Sequence, residues 1–443
     1  MSLRTLGRQT FIYGFGHIVA RLVTFLLLPI YTNILSGTEF GIISLIYTFL
    51  GFMTVILHYG LDASLLKHYV PADCQERTSI LSNAYLSFIL TSFLFSVCLI
   101  LLRHQVSSFL FGASAPQITC FVAVILFFDV LWYIHLLILR AEERPIQFVT
   151  ISLLNVCLML GLNIYFVVYQ HEGVMGVVKS NLITSCVLFL ATFPMIFSRI
   201  SFKSLSRAKW KKMMQFGMPF LPAGIFSMIL ELSDRYFLKY FTDLETVGIY
   251  NAGYKIGMFM LLLVMGFNMG WQPYFLKKGK GETEYIIKIA TLFLFIMTFF
   301  WLLLVFWSKE LVQFKFGGYS FFGEEFWSAI QTVPFIAGAY VFHGLYLVQL
   351  PGLFLKEKTM YIAIIRGLGA TCNIILNLIL IPVYGIMGAA ISTTISFFLM
   401  AFILFFINKK IFPISYESKN ISLIFISSLS IYLLFINVDL LFI

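Results

Sequence analysis

Five positively charged side chains fall inside apolar stretches of this 443-residue chain that are long enough to cross a membrane. A cation at the bilayer centre costs about 2.5–3.5 kcal/mol, so five that faced lipid would together cost on the order of 12–17 kcal/mol. We therefore expect these side chains to face a polar interior, where they would suit an anionic ligand or a charge-coupled cycle. They are Arg21, Lys179, Arg235, Lys255 and Arg366.

Amide side chains accompany two of these cations at helical spacing. Asn251 stands four residues before Lys255, and two asparagines follow Arg366 along one face of a helix. Amides beside cations suit sugar hydroxyls and phosphate oxygens, and they equally suit hydrogen bonds between helices. The predicted ligand-binding set is Arg21, Arg235, Lys255, Arg366, Asn251, Asn373 and Asn377.

Acidic side chains in the same stretches are candidates for binding a coupling ion. Glu231 and Arg235 stand four residues apart with the acid first, which is the favourable order for an ion pair within a helix. Asp234 would then be left over, and a carboxylate in a low-dielectric site can bind H⁺ or ligate Na⁺. Asp129 lies on a polar face of another stretch and has interfacial anchoring as its alternative role. Glu231, Asp234 and Asp129 are the predicted coupling residues.

The composition is that of a polytopic membrane protein. Hydrophobic residues make up 60% of the chain, charged residues only 11%, and the mean hydropathy is +0.94, whereas soluble domains carry about 25% charged residues. The net charge of +10 comes mostly from loops between apolar stretches, so it does not indicate nucleic-acid binding. The six cysteines form no CxxC pair, and the chain has no HExxH, GxSxG or nucleotide-binding glycine motif. The sequence therefore predicts no enzyme, no metal site and no cofactor beyond a coupling H⁺ or Na⁺.

Thirteen apolar segments of about 20 residues are predicted to span the membrane. If alternate loops lie on alternate sides, one side receives twenty Lys and Arg residues and the other three, which predicts a cytoplasmic N-terminus. In the first segment Gly14, His17, Arg21 and Thr24 share a helix face, and Pro29 is expected to kink it. The predicted spans are 10–35, 40–62, 80–102, 117–139, 147–169, 174–197, 215–241, 247–275, 286–307, 327–350, 360–382, 386–408 and 421–443.

Repeated motifs predict that the chain consists of two similar halves. Phe40-Gly41-Ile42 matches Val247-Gly248-Ile249 at an offset of 207, and the Gly-x-Met-Gly block at 173–176 matches the one at 385–388 at an offset of 212. Six spans per half would give both the same orientation, related by an axis along the membrane normal. The predicted domains are an N-terminal six-helix bundle (1–198), a basic cytoplasmic linker (199–214), a C-terminal six-helix bundle (215–408) and an additional transmembrane or interfacial helix (409–443). The linker is either an ordinary basic loop or a segment at the headgroup surface.

Two short blocks resemble a known family. The run from Leu26 through Pro29 to Thr32, and the run Ser233-Asp234-Arg235-Tyr236-Phe237, are similar to the polysaccharide-transporter branch of the MATE-like superfamily, which includes O-antigen repeat-unit flippases of the bacterial inner membrane. The resemblance covers about residues 5–408. It implies an all-α membrane protein with two six-helix bundles around a central cavity that opens to one face at a time. With one C-terminal span, this gives 12–14 transmembrane helices.

The resemblance also implies a cargo and partners. The cargo would be an undecaprenyl-pyrophosphate-linked oligosaccharide of lipopolysaccharide biosynthesis, moved from the cytoplasmic to the periplasmic leaflet of the cell inner membrane. Cavity cations matching Arg21, Arg235, Lys255 and Arg366 would face its pyrophosphate. Membrane lipids, a polysaccharide polymerase and a chain-length regulator would be the partners.

Three other functions fit parts of the sequence. An ion-coupled drug exporter of the same architecture would be expected to have an acidic cavity, whereas these spans hold more bases than acids. A flippase for a peptidoglycan precursor would be expected to have fourteen spans. A membrane enzyme acting on the same lipid-linked sugar would need a long outer loop with catalytic residues, and the longest predicted outer loop, 308–326, is short and rich in Gly and Phe.

Overall fold

The structure is a computed structural model that describes residues 25–111, 115–278, 283–316, 319–358, 360–411 and 417–441. Almost all of this chain is helical, which confirms the predicted all-α membrane class. The chain divides into two compact units, unit 1 (Met1–Met228) and unit 2 (Ile229–Ile443). The domain division at 199–214 stays a prediction.

Unit 1 contains nine helices within its described residues, together with two π-helical segments and one 3₁₀ turn. The helices are α1 (Leu27–Ile34), α2 (Gly37–His58), α3 (Leu61–Tyr69), α4 (Cys74–Leu101), α5 (Arg103–Val106), α6 (Pro116–Ala141), α7 (Pro145–Asn163), α8 (Gly173–Phe197) and α9 (Arg207–Gly217). The other segments are the π-helices Ser107–Phe111 and Ile164–Tyr169 and the 3₁₀ turn Phe202–Ser204. Helix α6 is the most enclosed element and packs against α2, α4 and α8.

Helix α10 (Phe220–Leu232) runs across the boundary between the two units. The described part of unit 2 continues with α11 (Asp234–Phe241), α12 (Leu244–Gly257), α13 (Phe259–Lys278), α14 (Thr283–Phe306), α15 (Ser308–Gln313), the two-residue strands β1 (Lys315–Phe316) and β2 (Tyr319–Ser320), a 3₁₀ segment (Glu324–Thr332), α16 (Val333–Val348), α17 (Pro351–Leu355), α18 (Met360–Ile411) and α19 (Ser418–Leu441). The strands pair antiparallel and form a small hairpin. Helix α16 is central here and packs against α12, α14 and α18.

Eight helices in the described residues are long and apolar enough to cross a membrane, and the number rises to ten if two bent pairs each form one span. The bent pairs are α9 with α10, at 41°, and α12 with the first part of α13, at 40°. The predicted spans 215–241 and 247–275 are each interrupted, because helices end at Leu232 and at Gly257 and begin again two residues later. Helix α19 covers most of the predicted thirteenth segment, 421–443.

The predicted spans 360–382 and 386–408 form the two arms of α18, which is interrupted at Gly385. Gly385 has φ +53° and ψ −127°, a backbone conformation that is open mainly to glycine. A Cβ on Gly388 would lie 2.3 Å from the Leu380 carbonyl oxygen. Residues eight apart in a straight helix are separated by about 12 Å, so this approach means that the chain turns back at Gly385.

The matching block in unit 1 has the same local structure. Gly173 has φ +55°, and a Cβ on Gly176 would lie 3.1 Å from the Phe166 carbonyl oxygen. In each block the first glycine supplies the positive φ, and the second lets the new helix start close against the end of the preceding one. This is the physical reason for the Gly-x-Met-Gly spacing.

The second pair of matching motifs also shares its local structure. Ser36 caps α2 by accepting a hydrogen bond from the Glu39 backbone N–H, and Asp243 caps α12 by accepting one from Thr246. The two caps are 207 residues apart, which is the offset of the sequence repeat. Equivalent starts of equivalent helices follow directly from these N-cap side chains.

Pro29 is the third residue of α1, which begins at Leu27. Proline has no N–H to donate to the carbonyl four residues earlier, which is that of Phe25. The kink expected in the first span stays a prediction, because most of that span lies outside the described residues. Arg21 lies outside the described residues, with the rest of the predicted polar stripe.

Candidate functional site

A buried ion pair forms the centre of the candidate site in unit 2. Asp234 and Arg235 stand at the start of α11 and are 1% and 3% exposed. The Arg235 guanidinium donates to Asp234 Oδ1 at 2.7 Å and to the Glu231 backbone carbonyl at 2.6 Å. The Tyr250 hydroxyl donates to the other Asp234 oxygen. The cation is thus held in place by an acid and a carbonyl at the break between α10 and α11.

Tyrosine side chains from α12 and α16 surround this ion pair. The Arg235 guanidinium lies 4.1 Å from the centre of the Tyr254 ring, a distance at which a cation–π attraction operates. The Tyr254 and Tyr340 hydroxyls are 3.0 Å apart and hydrogen-bond to each other. Tyr250 and Tyr254 are one helical turn apart on α12, so both rings reach Arg235 from the same face.

Two further cations lie among the same helices. Lys255 on α12 is partly buried and is close enough to Arg235 for the two positive charges to interact. Arg366, in the first arm of α18, is also partly buried. It lies close enough to Tyr346 and His343 of α16 for its positive charge to interact with both side chains. The structure therefore brings Arg235 and Lys255 together and places Arg366 beside the aromatic face of α16.

Buried amides of α18 form a second polar group in unit 2. Asn373 and Asn377 are fully buried, and Asn377 donates to the Asn373 side-chain oxygen at 3.0 Å. Ser233, at the break before α11, donates to the same oxygen at 3.2 Å. Asn373 Nδ2 and Asn377 Oδ1 have no hydrogen-bond partner among the described residues. Asn251, on α12, is 7% exposed.

Glycines hold α12 close to the elements that complete the site. A Cβ on Gly253 would lie 2.3 Å from Thr332 Oγ1, and one on Gly257 would lie 2.6 Å from Ile336 Cγ2. These two positions are one turn apart, so one face of α12 fits directly against the 3₁₀ segment and the start of α16. This close fit brings Tyr254 within reach of Tyr340.

The remaining predicted residues lie apart from this group. In unit 1, partly buried Asp129 accepts hydrogen bonds from Trp132 Nε1 at 2.8 Å and from Ser185 Oγ at 2.6 Å. Lys179 forms an ion pair with Glu172 at 2.8 Å and is 36% exposed. Arg21 is outside the described residues. Among the described residues, no group of three or more His, Cys, Asp and Glu side chains is arranged to hold a metal ion.

The sequence prediction was wrong about the role of Asp234 in ion pairing, and it left out two residues of the site. The prediction that Asp234 is left over is wrong, because Asp234 is an ion-pair partner of Arg235. Tyr250 and Ser233 were not predicted as site residues. The helical spacing of Tyr250 and Tyr254 beside Asn251 and Lys255 was a signal for the first, whereas nothing local marks Ser233.

Comparisons with known proteins agree with this fold. An uncharacterized membrane protein of Methanocaldococcus jannaschii is 22% identical over 439 residues, which cover 89% of this chain and 82% of that protein. The structure of the lipid II flippase MurJ in an inward closed conformation matches with a TM-score of 0.78 at 16% identity, over 97% of this chain and 93% of that one. An inward-facing multidrug resistance MATE family transporter of the MOP superfamily matches with a TM-score of 0.64 at 15% identity, over 96% of both chains.

The family follows from the sequence match. Residues 6–279 match the polysaccharide biosynthesis protein family, which is more than half of the chain and includes unit 1 and the start of unit 2. The resemblance noted in the sequence is thereby confirmed, and the MurJ-like and MATE-like fold agrees with it. The chain is a multi-pass membrane protein that belongs to the polysaccharide biosynthesis protein family.

Proposed function

We propose that the protein is a flippase for an undecaprenyl-pyrophosphate-linked oligosaccharide, such as an O-antigen repeat unit. It moves this cargo from the cytoplasmic to the periplasmic leaflet of the bacterial inner membrane by alternating access. The family match supports a role in polysaccharide biosynthesis, and the fold shared with a lipid II flippase supports transport of a lipid-linked molecule. A polysaccharide polymerase and a chain-length regulator are the proposed partners.

The observation that carries the proposal is the set of charged side chains inside unit 2. The five charged side chains predicted at this site are three bases (Arg235, Lys255 and Arg366) and two acids (Asp234 and Glu231), so together they carry one excess positive charge. Keeping like charges close in a low-dielectric region is costly, and an anion relieves that cost. A pyrophosphate has the required charge, and its prenyl tail can stay in lipid.

The polar groups suggest separate roles within this site. Lys255 and Arg366 are the proposed pyrophosphate-binding cations, while Asp234 and Tyr250 hold Arg235 in position. The unmatched donor of Asn373 and acceptor of Asn377, with Asn251, suit sugar hydroxyls, which both donate and accept hydrogen bonds. Arg21, which lies outside the described residues, stays a proposed cargo-binding cation. Asp234, Glu231 and Asp129 remain the proposed H⁺ or Na⁺ coupling residues.

Charge reversal tests the cationic role. We expect Lys255→Glu and Arg366→Glu to abolish surface glycan in cells that rely on this protein, because a carboxylate at either position repels the pyrophosphate. Lys358→Glu, an exposed loop variant, is the matched control and should keep normal glycan. Gel analysis of surface glycan, with immunoblots of membrane fractions to confirm insertion, gives the result. Full glycan in both site variants would reject the role.

The alternative is an ion-coupled drug exporter, which the MATE-like fold favours. The two functions differ in cargo charge, so ethidium efflux by cells that produce the wild-type protein separates them. The exporter would be supported if Asp234→Asn abolished ethidium efflux and the surface glycan of the cells did not depend on this protein. Glycan dependence without ethidium efflux would support the flippase.

A further inference from the structure

Helix α9 in unit 1 forms one wall of a basic pocket, far in sequence from the site in unit 2. The pocket has a volume of about 460 Å³ and lies between α3, α9 and the start of α4. Its charged lining consists of Lys67, His68, Lys209, Lys212 and Glu76. Three lysines face one glutamate, so the pocket has an excess of two positive charges when His68 is neutral.

The two helices that carry the lysines are fixed to each other at their backbones. A Cβ on Gly60, just before α3, would lie 2.0 Å from the Gly217 carbonyl oxygen. A Cβ on Gly217, at the end of α9, would lie 2.7 Å from the Gly60 carbonyl oxygen. This close backbone contact leaves little freedom for α3 and α9 to separate, so the lysines keep their spacing without a ligand.

Phe216 fixes the α3 side of the basic pocket. The Lys67 ammonium lies 3.7 Å from the centre of the Phe216 ring, and the His68 ring meets Phe216 edge-on at 5.9 Å. The His68 Nδ1 atom is also 2.8 Å from the Ser64 carbonyl oxygen. These contacts reduce the side-chain entropy that a ligand would otherwise have to remove.

The other face of α9 lines an apolar cleft of about 600 Å³. Trp210 and Met214 stand one turn apart on this face, and the Trp210 indole N–H donates to Ser87 Oγ at 2.7 Å. Leu90 and Met218, which also line the cleft, are 51% and 48% exposed. In a membrane protein, exposed apolar side chains beside an interfacial tryptophan suit acyl chains.

We propose that α9 is a binding site for an anionic phospholipid, whose headgroup phosphate occupies the basic pocket. The excess charge of the pocket matches a phosphate group, and lysine ammonium groups are strong donors to phosphate oxygens. The apolar cleft on the opposite face favours a lipid as the source of that phosphate. The site is independent of the proposed cargo, because its residues belong to unit 1 and are absent from the charged group of unit 2.

Lipid binding by the purified full-length protein tests this site. Native mass spectrometry would count bound phosphatidylglycerol on the wild type and on the variant Lys67→Gln/Lys209→Gln/Lys212→Gln. Each lysine near an anionic lipid contributes about a fivefold gain in affinity, so the triple variant should bind about 100-fold more weakly. The control Lys203→Gln/Lys211→Gln/Lys358→Gln removes the same charge from exposed positions outside the pocket and should bind within about threefold of the wild type.

Two further measurements separate the sources of phosphate. Zwitterionic phosphatidylcholine should show no difference between the wild type and the triple variant. Inorganic phosphate, added at constant ionic strength, should fail to displace phosphatidylglycerol. Equal loss of phosphatidylglycerol in the pocket and control variants would overturn the site, and displacement by millimolar inorganic phosphate would overturn the lipid as its ligand.

Discussion

Arg235 illustrates how a guanidinium can be kept deep inside a membrane-spanning unit. Its charge is balanced by Asp234, its donors are used by that carboxylate and by the Glu231 carbonyl, and its flat face is covered by Tyr254. Each contact replaces part of the hydration that the cation loses on burial. The Tyr250 hydroxyl donates to the second Asp234 oxygen, so both oxygens of the carboxylate accept a hydrogen bond.

Substitutions at this pair should affect stability and coupling differently. We expect Asp234→Asn to cost about 3–5 kcal/mol, because it leaves the Arg235 charge buried without its acid. Asp234→Asn/Arg235→Gln should recover at least half of that loss, since neither side chain is then charged. Thermal unfolding of detergent-purified variants measures both effects.

The same variants test the proposed coupling role of Asp234. Reconstituted Asp234→Asn should lose any response of transport to an imposed H⁺ or Na⁺ gradient, and the double variant should not regain it. An unchanged gradient response in Asp234→Asn would show that this carboxylate does not couple an ion. A double variant no more stable than Asp234→Asn would contradict the ion-pair explanation.

Glycines at fixed offsets organise the helices of both units. Gly173 and Gly385 each begin a helix with a positive φ, and the glycine three residues later lets that helix pack against the end of the preceding one. Elsewhere, Gly253 and Gly257 let α12 approach the 3₁₀ segment and α16, and Gly60 meets Gly217 between α3 and α9. Membrane helices gain little from hydrophobic burial against each other, so close backbone packing of this kind is a main source of their association.

Alanine substitutions should separate backbone strain from steric conflict. Gly385→Ala should cost about 1–2 kcal/mol, because φ is positive but nothing lies within 4 Å of the new Cβ. Gly388→Ala should cost more, because its Cβ would lie 2.3 Å from a backbone oxygen that cannot move away easily. Gly161→Ala, in a helix with open space around it, is the control and should be neutral or slightly stabilising. The measurement is the unfolding temperature in detergent, and equal values for Gly388→Ala and Gly161→Ala would refute this order.

The whole chain is a membrane protein with repeated local motifs. Its loops fall into two sets that differ strongly in their number of Lys and Arg residues. Caps 207 residues apart and glycine blocks 212 residues apart have matching local structures, so each unit contains equivalent helix starts. The distribution of Lys and Arg, twenty in one set of loops and three in the other, predicts the orientation in the bilayer. This orientation is independent of the cargo and can be tested separately.

Cysteine labelling tests the predicted orientation. In a variant without its six native cysteines, Lys309→Cys and Lys315→Cys should react with a membrane-impermeant maleimide in intact cells. Lys203→Cys and Lys358→Cys should react only after permeabilisation, because they lie in the basic loops. All four positions lie outside the predicted spans, although Lys309 is part of the short helix α15 and Lys203 of a 3₁₀ turn. Labelling of Lys203→Cys and Lys358→Cys from opposite sides would mean that an odd number of segments crosses the membrane between them.

The sequence by itself determined what depends on composition and on local stereochemistry. The apolar stretches established the all-helical membrane class, and the repeated Gly-x-Met-Gly motifs predicted two similar halves. Gly173 and Gly385 in these motifs have matching positive φ, a conformation that glycine adopts easily. Caps such as Ser36 and Asp243 also act within three residues of their position, so their helix starts are local properties.

Only the tertiary structure decided which groups balance the buried charges. The rule for regular helices pointed from Arg235 to Glu231, whereas the structure pairs Arg235 with Asp234, the residue that begins α11. Tyr250, Tyr254 and Tyr340 reach the same ion pair from two other helices, through a close approach of α12 that depends on what packs against Gly253 and Gly257. Such contacts join residues up to about a hundred positions apart, and no local pattern specifies them because they depend on how the helices pack.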